Sequence, residues 1–154
     1  MWRSGFADTI SRMEVSDVRR RLRAAMEDAK RRSAERRTRA DEASQAWDEA
    51  LIATAVPAFH TLASALTGEG HRFKVLTPAG SVRLALERSA EEFIELALDT
   101  ERDEPAVMVR STRGRGRRIV STERVARSGA SLAAMTQEDV VGVVLDELAP
   151  FIER

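Results

Sequence analysis

A charged band inside the first long helical segment constrains the fold of this chain more than any other feature. Residues 30–39 read KRRSAERRTR and contain a single apolar residue, an alanine. Apolar residues at helical spacing flank the band on both sides: Val18, Leu22, Met26, Trp47 and Leu51. Because a helix buries only an apolar stripe, the band cannot lie against an ordinary core. We expect the band to face solvent or an anionic partner.

The segment that contains the band is predicted to form one long helix over residues 17–56. Pro57 disfavours helix in the residue before it, and apolar spacing continues beyond it, so we expect a kink there. At 1.5 Å per residue this helix would be about 60 Å long, which exceeds the diameter of a domain of this size. Part of it must therefore protrude or pair with another helix, as in a coiled coil. Arg32 and Arg36 continue the apolar row and would repel each other across a dimer unless an anion lay near.

A second amphipathic segment precedes the long helix. Trp2, Phe6, Ile10 and Met13 recur at steps of four, four and three residues, which is typical of a short amphipathic helix. This stripe could dock into a partner or a second subunit, or pack on the chain's own sheet. Both alternatives stay open at this point.

After Gly70 the apolar spacing changes from helical to alternating, which predicts an antiparallel sheet. The predicted strands are residues 71–77, 81–87, 92–99, 106–111 and 117–121. The joints between them are short enough for hairpins, so we expect a meander of four or five strands. Val82 and Leu84 alternate with Arg83 and Ala85, which predicts one buried face and one wetter face.

The predicted fold class is α+β: a long N-terminal helix, an antiparallel meander and a C-terminal helix packed on the sheet. Residues 124–135 are expected to be irregular or a short helix. Thr136 to Asp139 resemble a capping box and begin the C-terminal helix. We divide the chain into an N-terminal helical arm, residues 1–67, and a sheet with its helix, residues 68–154, which together form one continuous structural unit.

Charge is unevenly distributed along a chain whose net charge is zero. Residues 1–40 hold 12 Lys or Arg against 6 Asp or Glu, whereas residues 41–105 hold 5 against 13. Residues 106–122 hold 5 basic residues and no acidic one, and residues 123–154 hold 3 against 6. Such asymmetry concerns partners rather than fold.

Two arginine-rich segments are candidate sites for an anion or a nucleic acid. Arg31, Arg32 and Arg36 lie in the helical band, and the other candidates lie in the predicted hairpin: Arg110, Arg113, Arg115, Arg117 and Arg118. Guanidinium groups match phosphate geometry, and the hairpin glycines let a backbone approach closely. No aromatic residue is interleaved, so phosphate contact is expected rather than base stacking. The alternatives are a solvated surface and intermolecular salt bridges to the acidic middle segment.

Catalytic, metal and cofactor signals are nearly absent from the sequence. There is no nucleophile elbow, P-loop or dinucleotide fingerprint, and no cysteine that could act as a nucleophile or thiolate ligand. The acidic turn at residues 99–104 lacks the glycine and the last glutamate of a calcium loop. We therefore predict no enzyme, no cofactor and no metal. The absence of a long apolar span or signal peptide predicts a cytoplasmic protein without a membrane span.

Three hypotheses for function follow in order of preference. The first is a structural or adaptor protein that forms a homodimer, or joins a larger assembly, through the long helix. Its expected interface residues are Trp2, Phe6, Ile10, Val18, Leu22, Met26, Trp47 and Leu51. The second is a sequence-independent nucleic-acid binder that uses the arginines named above. The third is a small-molecule sensor or enzyme with a pocket between the sheet and the C-terminal helix.

Overall fold

The computed structural model describes residues 13–153, and it has the predicted α+β fold. Helix α1, Val15–Ala50, continues through a π-helical segment, Leu51–Ala55, into α2, Val56–Gly68. Five strands follow: β1 Phe73–Leu76, β2 Ser81–Leu86, β3 Ser89–Asp99, β4 Ala106–Arg115 and β5 Arg118–Ser128. A 3-10 segment, Gly129–Ala134, leads to the C-terminal helix α3, Gln137–Ile152.

The long helical run begins slightly earlier than predicted and passes Pro57 by a change of helix type. The first backbone bonds run from Asp17 and Val18 N–H to Glu14 O, at 3.0 and 3.1 Å. Ahead of the proline, Val56 N–H donates to Leu51 O, five residues earlier. In a regular α-helix the ring of a proline clashes with the carbonyl four residues before it. The wider π turn makes room for the ring of Pro57, so the helix continues.

The chain divides into two compact units, Met1–Thr38 and Arg39–Arg154. Residues 39–68, expected to belong to the N-terminal arm, are therefore in the same unit as the sheet. The run Val15–Gly68 is long and apolar enough to cross a membrane by length and composition alone. Ala55, Phe59 and Leu62 of this run are buried in the hydrophobic core, which is the environment of a core helix.

The sheet is a fully antiparallel meander in the order β1-β2-β3-β4-β5. Several predicted strand boundaries were wrong. Strand β3 begins at Ser89 rather than at residue 92, so the turn before it is at residues 87–88 instead of 88–91. Strand β4 continues to Arg115 rather than ending at residue 111. Strand β5 runs on to Ser128 through residues expected to be irregular. Its periodicity is weak because most of its side chains are exposed on both faces.

One face of the sheet carries the core, and we call it the helix-covered face. Its buried apolar residues pack in one cluster with the helices: Val82, Leu84, Ile94, Leu96, Val107 and Val109. Helix α3 contributes Val140, Val144 and Leu148 to the same cluster. Helix α3 therefore packs on the sheet as predicted. The alternate residues, including Arg83 and Glu95, lie on the opposite face.

Helix α3 begins with the predicted capping box. Thr136 Oγ1 accepts from Asp139 N–H at 3.2 Å, and the Asp139 carboxylate accepts from Thr136 N–H at 2.9 Å. The backbone hydrogen bond from Thr136 is the main cause of a lowered pKa at Asp139, and Arg127 lowers it further. The shorter aspartate side chain thus makes the hydrogen bond to the N-cap backbone that glutamate or glutamine usually makes at this position.

Candidate functional site

Four large apolar side chains form an exposed stripe on helix α1. Val15, Val18, Leu22 and Met26 recur at steps of three, four and four, and each is between 46% and 69% exposed. We call them the helix stripe. Residues at these spacings share one face of a helix. Soluble proteins expose single apolar side chains freely, but a row of four on one face is characteristic of an interaction surface.

Basic side chains surround the helix stripe, and part of their charge is compensated within the helix. Arg20 pairs with Asp17 at 2.5 Å, and Arg31 forms an ion pair with Asp28. Both pairs are exposed, so each stabilises the helix by a few tenths of a kcal/mol at most. Residues 15–38 retain a basic excess after these pairs are counted. An acidic partner surface would therefore suit the helix stripe better than another basic one.

Two of the predicted interface residues belong to the chain's own core. The Trp47 side chain is buried, and its Nε1–H donates to Gly80 O at 2.8 Å. Leu51 is partly buried and packs against the same cluster. The expectation that Trp47 and Leu51 anchor a partner is therefore corrected: they anchor α1 to the sheet. Trp2, Phe6 and Ile10 lie outside the described residues.

The arginine hairpin joins β4 to β5 through a two-residue turn at Gly116 and Arg117. Gly116 has a φ of 64°, which the first position of a type II′ turn requires. Arg115, Arg117 and Arg118 are exposed. The carboxylate of Glu92 lies at the base of the hairpin, where its Oε1 accepts from Gly114 N–H at 2.8 Å. The tip of the hairpin therefore presents exposed basic side chains above this carboxylate.

Arg113 and Arg115 lie beside the end of helix α3. They line a cleft of about 560 Å³ together with Pro150 and Glu153. The C-terminal end of a helix carries a partial negative charge, which attracts these arginines from within the fold. Arg31, Arg32 and Arg36 belong to the other compact unit, so the two predicted arginine groups lie on separate parts of the chain.

Arg110 does not belong to the arginine hairpin tip, because its guanidinium is committed to Glu95. Arg110 Nη2 donates to Glu95 Oε1 at 2.9 Å, and Arg83 Nε pairs with Oε2 of the same carboxylate. Ser81 Oγ donates to that second oxygen at 3.2 Å. The assignment of Arg110 to anion binding is thus corrected to an internal ion pair.

The Glu95 network was missed by sequence reasoning. Register places Arg83, Glu95, Arg110 and Glu123 in one row across four strands. Both arginines also lie over the Phe93 ring, at 4.2 and 5.6 Å from its centroid. Alternating basic and acidic residues at these positions were visible in the sequence, but only the strand register brings them into one row.

A cleft between the first strand and the end of α3 is the nearest match to the pocket of the third hypothesis. It has a volume of about 480 Å³ and includes His71, Arg72, Phe73 and Phe151. The two phenylalanine rings meet edge to face with centroids 6.4 Å apart. Among residues 13–153, no three His, Asp or Glu side chains are grouped so that they could hold a metal ion.

Comparison with known proteins yields no relative. No protein-family model, curated protein or solved structure matches the chain. The class of the protein therefore follows from its fold alone: an α+β protein with an extended N-terminal helix, a five-stranded antiparallel meander and a C-terminal helix.

Proposed function

We propose that the protein is a non-catalytic adaptor that associates with another protein chain through the helix stripe. That chain is a second copy or a subunit of a larger assembly. The observation that carries the proposal is the exposure of all four stripe residues on α1. The basic surroundings of the stripe favour a partner surface that combines apolar and acidic groups.

The helix stripe offers a moderate driving force. Fully burying an apolar side chain of this size contributes about 1.5–3 kcal/mol, and roughly half of each stripe residue is still exposed. Four such residues contribute about 3–7 kcal/mol before the entropic cost of association is subtracted. The stripe therefore supports reversible association and needs further contacts to give a permanent complex.

The test is light scattering coupled to size exclusion on the wild-type chain and a stripe variant. The monomer mass is 17.1 kDa. Leu22→Glu places a charge in the middle of the stripe and should lower the mass of assemblies that form through the stripe, or the capture of a partner protein by it. Ala24→Glu adds the same charge to an exposed position on the opposite side of the helix and serves as the matched control. Equal behaviour of both variants contradicts the proposal.

Nucleic-acid binding is the second candidate, and the exposure of Arg115, Arg117 and Arg118 at the tip of the arginine hairpin favours it. A phosphate-backbone binder loses affinity steeply as salt rises. Replacing Arg113, Arg115 and Arg117 by glutamate should abolish binding to duplex or single-stranded oligonucleotides. An affinity unchanged by this triple replacement, or insensitive to salt, rules the candidate out.

A further inference from the structure

Strand β5 is a long edge strand of the sheet. It spans eleven residues, Arg118–Ser128, and among the described residues 13–153 it pairs only with β4. The strand at the other edge, β1, has four residues. An edge strand presents unpaired N–H and C=O groups, and proteins protect such a strand by shortening it or by proline, charged side chains or a bulge. Strand β5 contains no proline, and its bulge lies beyond Val125, so the stretch from Ile119 to Val125 is regular and carries charges only at Glu123 and Arg124.

The turn geometry fixes which backbone groups of β5 point outward. Arg115 and Arg118 close a two-residue hairpin, so they form a hydrogen-bonded pair with β4. Register is unbroken from there to the pair of Met108 and Val125. Every second residue therefore turns its backbone groups away from β4. These outward residues are Ile119, Ser121, Glu123 and Val125.

Two of the outward residues are the large exposed hydrophobics of this strand. Ile119 is 66% exposed and Val125 is 45% exposed. They lie six residues apart on the same face of the sheet, because side chains alternate along a strand. Thr122 lies midway between them. A two-fold axis at Thr122 would therefore place Ile119 of one strand opposite Val125 of a second strand, and Val125 opposite Ile119.

We propose that β5 pairs antiparallel with β5 of a second copy of this chain, with the two-fold axis at Thr122. The two five-stranded sheets then join into one ten-stranded sheet. Four outward pairs would exchange about eight backbone hydrogen bonds. Ile119 packs against Val125 of the second copy, and this contact occurs twice by symmetry.

Charge and burial select this register over its neighbours. An axis at Thr122 places Glu123 opposite Ser121 of the second copy. An axis at Glu123 would oppose two glutamates, and an axis at Ser121 would place Ile119 against Glu123. Like charges directly opposite each other on neighbouring strands are destabilising. The axis at Thr122 is thus the register that pairs the apolar residues and separates the carboxylates.

Cross-linking tests the pairing and its register together. The chain has no cysteine, so a single introduced cysteine reports only on its own position. Residues on the axis form a pair without hydrogen bonds, with Cα atoms about 4.5 Å apart, which a disulfide can bridge. Thr122→Cys should therefore give a covalent dimer under mild oxidation. Glu123→Cys is the matched control and should give little covalent dimer, because residue 123 lies opposite residue 121 of the second copy.

A proline pair tests the role of the free edge without relying on cross-links. Ser121→Pro removes an outward N–H, whereas Ser121→Ala keeps it; both lose the hydroxyl contact with Thr112 at 2.9 Å. The proline should raise the dimer dissociation constant by at least about tenfold relative to alanine. Circular dichroism and the melting temperature establish that both variants are folded.

Three results would overturn the proposal: no cross-link at either cysteine, preferential cross-linking of Glu123→Cys, or equal association of the proline and alanine variants. The pairing is independent of the helix stripe. Leu22→Glu, introduced into the Thr122→Cys chain, should leave the cross-link intact. A cross-link lost with Leu22→Glu assigns the dimer to the helix and contradicts pairing through β5.

Discussion

The Glu95 network offers the sharpest test of how this sheet is stabilised. The Glu95 side chain is 8% exposed and accepts hydrogen bonds from Ser81, Arg83 and Arg110. Glu95→Gln keeps the size of the side chain but removes its charge. The new amide nitrogen is a hydrogen-bond donor and would face the guanidinium groups, which are also donors. The free energy of unfolding should therefore fall.

The size of this loss follows from the exposure of the partners. Breaking a fully buried ion pair costs about 3–5 kcal/mol. Arg83 and Arg110 are 28% and 42% exposed, so water partly compensates both once the carboxylate is lost. We expect a loss of about 2–3 kcal/mol, which lowers the melting temperature by about 4–12 °C for a chain of this length.

Urea denaturation measures the effect, with Glu123→Gln as the control. Glu123 lies in the same cross-strand row but is exposed, and its replacement should change the free energy of unfolding by less than about 0.5 kcal/mol. A double-mutant cycle with Arg83→Met should give a coupling energy of about 1 kcal/mol or more. Equal and small effects at Glu95 and Glu123 refute the reasoning.

Three further predictions concern the segment that follows β5. Gly129→Ala brings a Cβ to 2.6 Å from Pro105 O and should cost about 1–3 kcal/mol in thermal unfolding; Gly142→Ala, with nothing within 4 Å, should stabilise α3 or leave it unchanged. Thr136→Ala removes the helix cap and should lower the free energy of unfolding by about 1 kcal/mol. Because the folded pKa of Asp139 lies below its ordinary 3.8, its contribution is present above that value and lost as pH falls through the folded pKa. Asp139→Asn should therefore reduce stability at neutral pH, and its melting temperature should fall less than that of the wild type as the pH is lowered. An equal fall in both proteins contradicts this.

The elements that sequence reasoning predicted well are those with one buried face. The alternation of Val82 and Leu84 and the stripe of α3 each produce a clear apolar period, and both elements lie where expected. The end of β5 was not predictable in the same way, because an edge strand exposed on both faces has no such period. Its extent is set by pairing with the buried residues of β4, which is a non-local interaction.

The candidate sites were harder to predict for a related reason. An apolar residue at helical spacing has the same sequence signature whether it meets a partner or the chain's own sheet. Trp47 and Val18 share that signature, yet Trp47 is buried beside Gly80 and Val18 is exposed. The difference depends on where the sheet lies relative to each turn of the helix, and no local pattern contains that information.

The alternation of charge along the chain acquires a physical meaning once the strands are paired. Antiparallel pairing brings the acidic β3 between two strands that carry arginines, so Arg83 and Arg110 share the single carboxylate of Glu95 inside the sheet. The arginines at the tip of the arginine hairpin, Arg115, Arg117 and Arg118, are exposed. The basic turns of α1 carry local ion pairs such as Arg31 with Asp28. Arginines that pair inside the sheet contribute to folding, whereas exposed side chains are available to a partner. Mutations in the exposed helix stripe and at the exposed tip of the arginine hairpin should therefore alter association more than stability.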